Sequence, residues 1–495
     1  MPPQDRTPHA DLTSIYFSDF FGVSREVVEG YGAFDISLVT DLPLFIDPFL
    51  LFHSAKPEYQ QLHEEIIDYV QFLRDKSREV NIGAPLLRAW FTFPEVKQNW
   101  FGYTEDGNQG SGLGMKFARD FSASLNTIFT SFGNDEVARG SHIEKVLLIS
   151  SGVGRDNISD FVTNTIKHFL LEYTQTFALE YLAPEQRRRI AVRKAIFNYD
   201  TEAWVTKTYE LPFVKGDFVI LTPIDILTKD EVWINRVDMV RDYAHIADSV
   251  DDPELRAQIN NYFERTLSGI RERDFKNRRR SASQRNRRAE PTMPPPTKKQ
   301  KEEAAWETIR RHPGYMDYYV RFKETHGNEA EAQANERVRS SERLYVTNVR
   351  SLVAKLHEHT AFYHTNGSTT DEARERMIAL KETVEKHGGW EQLYEDGKPI
   401  PTESEIRRVL RLVWSNVPNA DEPMRLDPAV VEFKQAKNSL LERALIQHRR
   451  NEDGPLSVKG IIFFTDEERM RALGLIEMLR LADDPNIILI DARGA

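Results

Sequence analysis

Three short apolar runs in the last part of the chain, at 429–435, 459–465 and 486–491, constrain the fold more than any other feature. Each has the length and the Val, Ile and Phe content of a strand, and a segment with helical spacing separates it from the next. Strand–helix–strand–helix–strand implies a mostly parallel sheet with right-handed crossovers. Start signals agree. Thr402 stands three positions before Glu405, a capping box ahead of Ile406, Val409, Leu410 and Val413. Asn438 or Ser439 opens a second helix with Leu441 and Leu445 inward, and Asp466 caps a third that runs to Leu481. In the first strand successive side chains alternate, so Glu432 and Lys434 share one face while Val431 and Phe433 point to the other.

The rest of the chain divides by composition. At 495 residues, 40% of them hydrophobic, it is long enough for two to four domains with real cores. Residues 11–270 are rich in aromatics and read as an α+β block, with extended segments over 35–48. The block holds a helix from Tyr59 to Leu73, with Leu62, Ile66, Ile67, Val70 and Leu73 on one stripe, and another from Ile158 to Tyr181. Strands are expected from Phe213 to Leu227, around the Lys215-Gly216-Asp217 turn. Residues 271–301 carry twelve Lys or Arg against three acids and the run Pro294-Pro295-Pro296. Such a composition cannot bury enough surface to offset its ordering entropy, so a disordered basic linker is expected over 271–303. A charged helical region over 304–395 and an α/β domain over 396–495 complete an α+β multidomain protein.

The formal charge of −11 argues against a protein that coats nucleic acid over its whole surface, but leaves room for a local basic site. No cysteine occurs, which excludes disulfides, thiolate metal sites and a cysteine nucleophile. The first residues lack the regions of a signal peptide, and no apolar stretch approaches the ~20 residues that cross a bilayer. A cytoplasmic protein without a membrane partner is expected.

Glu432 and Lys434 carry the chemistry. A carboxylate that can hold a divalent ion, beside an ammonium that can touch a phosphate or a water, is half of a metal-dependent phosphodiesterase. The other half should be an aspartate. Asp421 lies eleven residues before Glu432 and Asp427 lies five before it, in a loop with Asn419 and Pro423.

The segment Glu432-Phe433-Lys434-Gln435-Ala436-Lys437-Asn438, with Ile461-Ile462-Phe463-Phe464 and Ile487-Ile488-Leu489-Ile490-Asp491-Ala492-Arg493, resembles the C-terminal domain of a group of uncharacterised bacterial proteins. That domain is similar to the PD-(D/E)XK, or restriction-endonuclease-like, nucleases. Phe34-Asp35-Ile36-Ser37, Leu44-Phe45-Ile46-Asp47-Pro48, Phe93-Pro94-Glu95-Val96-Lys97 and Gly152-Val153-Gly154-Arg155-Asp156 are similar to the N-terminal half of the same proteins. The resemblance implies a Mg²⁺- or Mn²⁺-dependent nuclease that cuts DNA or RNA, with a place in bacterial phage defence. Asp421, Glu432 and Lys434 would be catalytic, with Lys434 orienting the attacking water. Asp421, Glu432, Asp427 and an upstream helix acid, Glu405 or Glu403, would hold the ion. Lys437 and the arginines Arg278, Arg279 and Arg280 would contact nucleic acid, and many relatives act as homodimers. Relatives place the metal-binding Asp at the end of a strand about a dozen residues before the Glu, and the span from Trp414 to Glu432 contains no such strand. The alternative is a catalytically inactive nuclease-fold protein that binds nucleic acid or a protein partner.

Other segments carry weaker signals. The Gly-rich stretch at 107–114 lacks the Lys-Ser or Lys-Thr of a phosphate-binding loop and reads as a turn. Arg155, Asp156 and Asp160, at the start of a helix that also carries Lys167 and Glu172, form a second candidate anion or metal site. The competing reading is that these carboxylates cap the helix. His357 and His359 are two apart on a helix and do not face each other, so they belong to its surface. Gln447 or His448 stands where some relatives carry a helical Gln.

Overall fold

A computed structural model describes residues 12–78, 82–104, 112–128, 137–145, 148, 155–229, 231–281, 293–365, 367–416, 430–450 and 457–494. These residues form a mixed α/β fold with several small sheets. Of the extended stretch 35–48 only β1 (Leu44–Ile46) is a strand, because Asp47 accepts a bond from the Phe49 N–H (3.0 Å) and starts a helix at Pro48. Helix α1 (Pro57–Ser77) buries the predicted stripe of Leu62, Ile66, Ile67, Val70 and Leu73. The helix expected over 158–181 is instead two, α2 (Arg155–Thr165) and α3 (Lys167–Tyr181). The Thr163 and Thr165 hydroxyls donate back to the Ser159 and Phe161 carbonyls, at 2.6 and 2.9 Å. Such bonds bend a helix, and the chain turns at Ile166. Strands β2 (Arg187–Asn198) and β3 (Ala203–Val214) make a long antiparallel hairpin, and β3 turns back through Lys215 and Gly216, both at positive φ. Strand β4 (Leu227–Lys229) returns to pair with β1.

The expected basic linker is partly helical. Helix α4 (Pro253–Ser281) runs on through the first eleven residues of the 271–303 segment, and α5 (Lys298–Arg311) starts within it, capped by Thr297. Apolar packing flanks the charged window: Leu267 and Ile270, just before it on α4, pack on Ala304 of α5. Arg273 pairs with Glu303 at 2.9 Å across the two helices. Helices α6 (Tyr315–Thr325), α7 (Gly327–Glu342), α8 (Asn348–His359) and α9 (Thr370–Lys386) then supply the helical region.

Helix α10 (Glu403–Ser415) is capped by Thr402, whose hydroxyl accepts from the Glu405 N–H at 3.3 Å. The reciprocal half of the capping box is absent, since Glu405 turns to the Thr402 hydroxyl and to Lys229. After it, β5 (Val431–Gln435), α11 (Leu441–Arg450), β6 (Val458–Phe463), α12 (Asp466–Met478) and β7 (Ile487–Asp491) follow in the predicted alternation. The three strands are parallel in the order β7-β6-β5, with Glu432 opposite Lys459. Thr465 rather than Asp466 caps α12, accepting from the Glu468 N–H at 3.2 Å, while Asp466 pairs with Arg493.

Alternation along the strands sends side chains into two cores. Val431, Phe433, Ile462 and Ile490 join a cluster with α8–α10 that continues into the N-terminal block as far as Ile15. Ile461 and Phe463 point the other way, to Leu441 and Leu445 of α11 and Ile476 of α12. Each such buried side chain contributes about 1.5–3 kcal/mol. Gly460 lets α9 approach the sheet, since a Cβ there would lie 2.8 Å from the Met377 sulfur.

Candidate functional site

The geometry at the β5 edge is built by three elements. β5 presents Glu432 and Lys434 on one face, as alternation requires, and the facing strand β6 adds Lys459. Lys434 Nζ lies 2.9 Å from Glu432 Oε1, and Lys459 pairs with Glu432 Oε2. Burial opposes ionisation of Glu432, but hydrogen bonds from Lys459 and Lys434 outweigh it and hold the carboxyl below its usual range. The third element is the N-terminus of α10. Glu403 places Oε1 3.7 Å from Lys434 Nζ, and Oε2 accepts from the Gln435 N–H (2.8 Å) and the Asn438 side chain (2.6 Å). Gln435 N–H lies on the open edge of the sheet, so Glu403 also blunts that edge.

Not every predicted residue joins this group. Glu405 is held elsewhere, 2.6 Å from the buried Lys229 of β4, so Glu403 is the helix acid that reaches the strand. Asp421 and Asp427 lie outside the described residues, as do the side chains of Arg278, Arg279 and Arg280 at the end of α4. Lys437 is exposed beside the site, and its ammonium donates to the Pro401 carbonyl at 3.3 Å. His448 turns away to Asp484 at 3.0 Å. Among the described residues no three His, Asp or Glu side chains are placed to enclose an ion. His357 stacks on Tyr363 and His359 on His387, in keeping with a helix surface. A cavity of about 710 Å³ opens along the opposite edge of the sheet, at β7, and neither Glu432 nor Lys434 lines it.

A second group of charges lies in the N-terminal block. Glu95, Asp156 and Asp160 gather around Asp41, which sequence reasoning overlooked. Backbone pairing between Leu42 and residues 100–102 brings Asp41 beside the Glu95 segment. Gly102, at φ +146°, lies between the two: a Cβ there would stand 3.4 Å from Asp41 Oδ2 and 3.9 Å from Glu95 Oε1. The Asn164 amide donates to the Pro94 and Asp160 carbonyls at 2.7 and 2.9 Å, tying that segment to α2. Gly112 completes the packing, because a Cβ at this positive-φ position would fall 2.3 Å from the Glu95 nitrogen. Burial, and then repulsion from Glu95, push the Asp41 carboxyl up to about 8. Asp160 is likewise pushed up to about 8 by burial and by Asp156, Glu95 and Asp41. Of the other residues named with this segment, Glu172 pairs with Lys207 at 2.7 Å, and Lys167 is buried beside Lys194. One signal was present in the sequence: Glu95-Val96-Lys97 has the same E-x-K spacing as Glu432-Phe433-Lys434. Here the segment is not a strand, and Lys97 pairs with Asp217 at 3.2 Å.

Two domain families match the chain. Residues 22–235 match a domain of unknown function (DUF8370), and residues 369–430 match a second (DUF8371). No curated protein and no solved structure matches it. The first match contains Asp41, Glu95, Asp156 and Asp160; the second contains Glu403, Glu405 and Arg408 and stops one residue short of β5. Among the described residues no helix is long and apolar enough to cross a membrane.

Proposed function

We propose that the protein is a Mg²⁺- or Mn²⁺-dependent nuclease acting on DNA or RNA, with its reaction site at Glu403, Glu432 and Lys434. The observation that carries this reading is the seat of Lys434, whose ammonium lies 2.9 Å from one carboxylate and 3.7 Å from the other. Two acids therefore face one point at which positive charge is stabilised. Hard oxygen donors in that number suit Mg²⁺, which takes one or two carboxylates from a protein and keeps several waters. Glu432 and Glu403 would hold such an ion, which when bound polarises the phosphodiester and acidifies a water. Lys434 offers three N–H donors to a phosphate oxygen or to the incoming water. Lys459 is buried, so its part is to keep Glu432 ionised rather than to touch substrate. Lys437 adds positive charge at the lip, where a nucleic-acid backbone would run.

The test is incubation of the full chain with labelled DNA and RNA in Mg²⁺ or Mn²⁺. Cleavage is expected, falling by about 10²–10⁴-fold in Lys434→Ala and in Glu403→Gln. Cleavage that survives both substitutions removes this site. A second reading is favoured by a specific observation: both oxygens of Glu432 are already engaged by ammonium groups. The fold would then persist without chemistry and grip nucleic acid or a protein partner. Binding without cleavage in the parent chain decides for it.

A further inference from the structure

Each strand of the β2–β3 hairpin has 12 residues, about twice the usual length, and β2 forms the edge of its sheet. Val192, Tyr209 and Leu211 are buried in the N-terminal core, whereas Arg189, Ala191, Arg193, Thr206 and Thr208 are exposed. Alternation puts Arg189 and Ala191 on one face of β2, with Thr208 directly opposite Ala191. The register then slips, so that the three residues between Val192 and Ile196 face the single residue Thr206. In this bulge Lys194 takes φ +51° and its ammonium donates to the Thr92 carbonyl at 3.4 Å. Ala195 is buried, and Arg193 stays in solvent.

The hairpin is cationic in a chain whose formal charge is −11. Residues 187–214 hold six Lys or Arg and three acids. Two of those acids are engaged, Glu210 by Arg187 at 2.9 Å and Glu202 by Lys76 at 2.8 Å. Lys207 turns to Glu172 of α3, and Arg188 lies over the Phe213 ring at 4.0 Å. Arg189 stands opposite Glu210, which Arg187 already holds, and Arg193 meets no carboxylate among the described residues. Both guanidinium groups therefore face solvent with their charge available.

Such a ribbon suits a polyanion with regularly spaced charges. A guanidinium donates two parallel N–H bonds to a phosphate, and exposed Thr hydroxyls can donate to the same backbone. Arg189 and Arg193 span roughly 13 Å of strand at ~3.3 Å per residue, about four phosphate steps along one DNA strand. A two-stranded ribbon also fits the major groove of B-form DNA, ~12 Å wide, whereas the deep, narrow major groove of A-form RNA does not admit it.

We infer that the exposed surface of the β2–β3 hairpin, centred on Arg189 and Arg193, docks the phosphate backbone of duplex DNA. The choice of nucleic acid over an acidic protein rests on the nuclease reading, and the surface lies apart from the residues which that reading uses. Charge on an edge strand also repels other strands, but that role alone leaves DNA affinity untouched.

Fluorescence anisotropy of the full chain with a short labelled DNA duplex, in EDTA, tests it. EDTA suppresses cleavage, so binding is read whether or not the Glu432 edge is active. In the Arg189→Gln, Arg193→Gln double variant, affinity should fall at least tenfold at about 0.1 M salt, and the salt slope by about 1.8. The Arg189→Lys, Arg193→Lys variant should keep the slope, and an RNA duplex of the same length should bind the parent more weakly. No binding by the parent, or an unchanged affinity and slope in the glutamine variant, overturns the inference. Tighter binding of polyglutamate or of the RNA duplex overturns it too. A mapping that needs no variant runs beside it: DNA should protect Arg189 and Arg193 from phenylglyoxal, followed by peptide mass mapping. Full reactivity of both arginines with DNA bound sinks the proposal.

Discussion

The two acidic groups of this protein treat buried charge in opposite ways. At the β5 edge, Glu432 is matched by Lys434 and Lys459, and its carboxyl is held below the ordinary range. In the N-terminal block, Asp41 and Asp160 face other acids and are pushed up to about 8. In the first arrangement the Glu432 carboxylate is met by two ammonium groups of the protein itself. In the second, burial and the neighbouring acids favour the protonated forms of Asp41 and Asp160. A residue's type therefore says little about its task until its neighbours are known.

The comparison can be broken most severely where charge is fully paired. Glu405→Ala strips the partner from buried Lys229 and is expected to cost about 3–5 kcal/mol in urea unfolding, whereas Glu405→Leu with Lys229→Met recovers most of it. A double variant no more stable than the single would show that the pair is not the source.

The N-terminal acids should give the next largest effect, with the opposite sign. A carboxyl whose folded pKa is raised binds more protons folded than unfolded, so stability falls as pH rises from about 4 to about 8. Each group contributes at most ~1.4 kcal/mol per pH unit, less for the more exposed Asp160 after solvent screening. Asp41→Asn should therefore raise the urea midpoint at pH 8 and flatten the slope between pH 5 and 8. An unchanged slope would mean that Asp41 is not protonated in the folded chain.

Glu432 should give a smaller limb in the acid range. Its folded pKa is depressed, so its contribution is full above the unfolded value of ~4.3 and disappears as pH falls through the folded value. About 1 kcal/mol or less is expected, visible as a loss below pH 4 that Glu432→Gln removes. Lys437→Ala should change least: stability within about 0.5 kcal/mol, and a salt slope of nucleic-acid binding reduced by about 0.7–0.9. Filter binding across a salt series measures the latter.

The C-terminal sheet was legible because its signals are local. Alternation alone placed Glu432 and Lys434 on one face, and three apolar runs were enough for β5, β6 and β7. The helix acid was not legible. Glu403 and Glu405 are two apart on α10 and point to different sides, and the choice was made by Lys229, far away in sequence. Lys459 read as the first residue of a strand, since nothing local says that a lysine there will be buried against a glutamate. Asp41, Glu95 and Asp160 come together only through tertiary pairing around Gly102 and Gly112, which no periodicity records. Composition misled over residues 271–281, which continue α4 beyond Leu267 and Ile270, the upstream residues that pack on Ala304 of α5.

Helix α10 ties these observations together. Within two turns it inserts Glu403 into the sheet edge, Glu405 against Lys229 and Arg408 toward Tyr103 and Asp41. Glu403 and Arg408 are separated along its axis by roughly 7.5 Å, at 1.5 Å of rise per residue. Over so short a span the helix itself sets the spacing between the sheet edge and the Tyr103 segment.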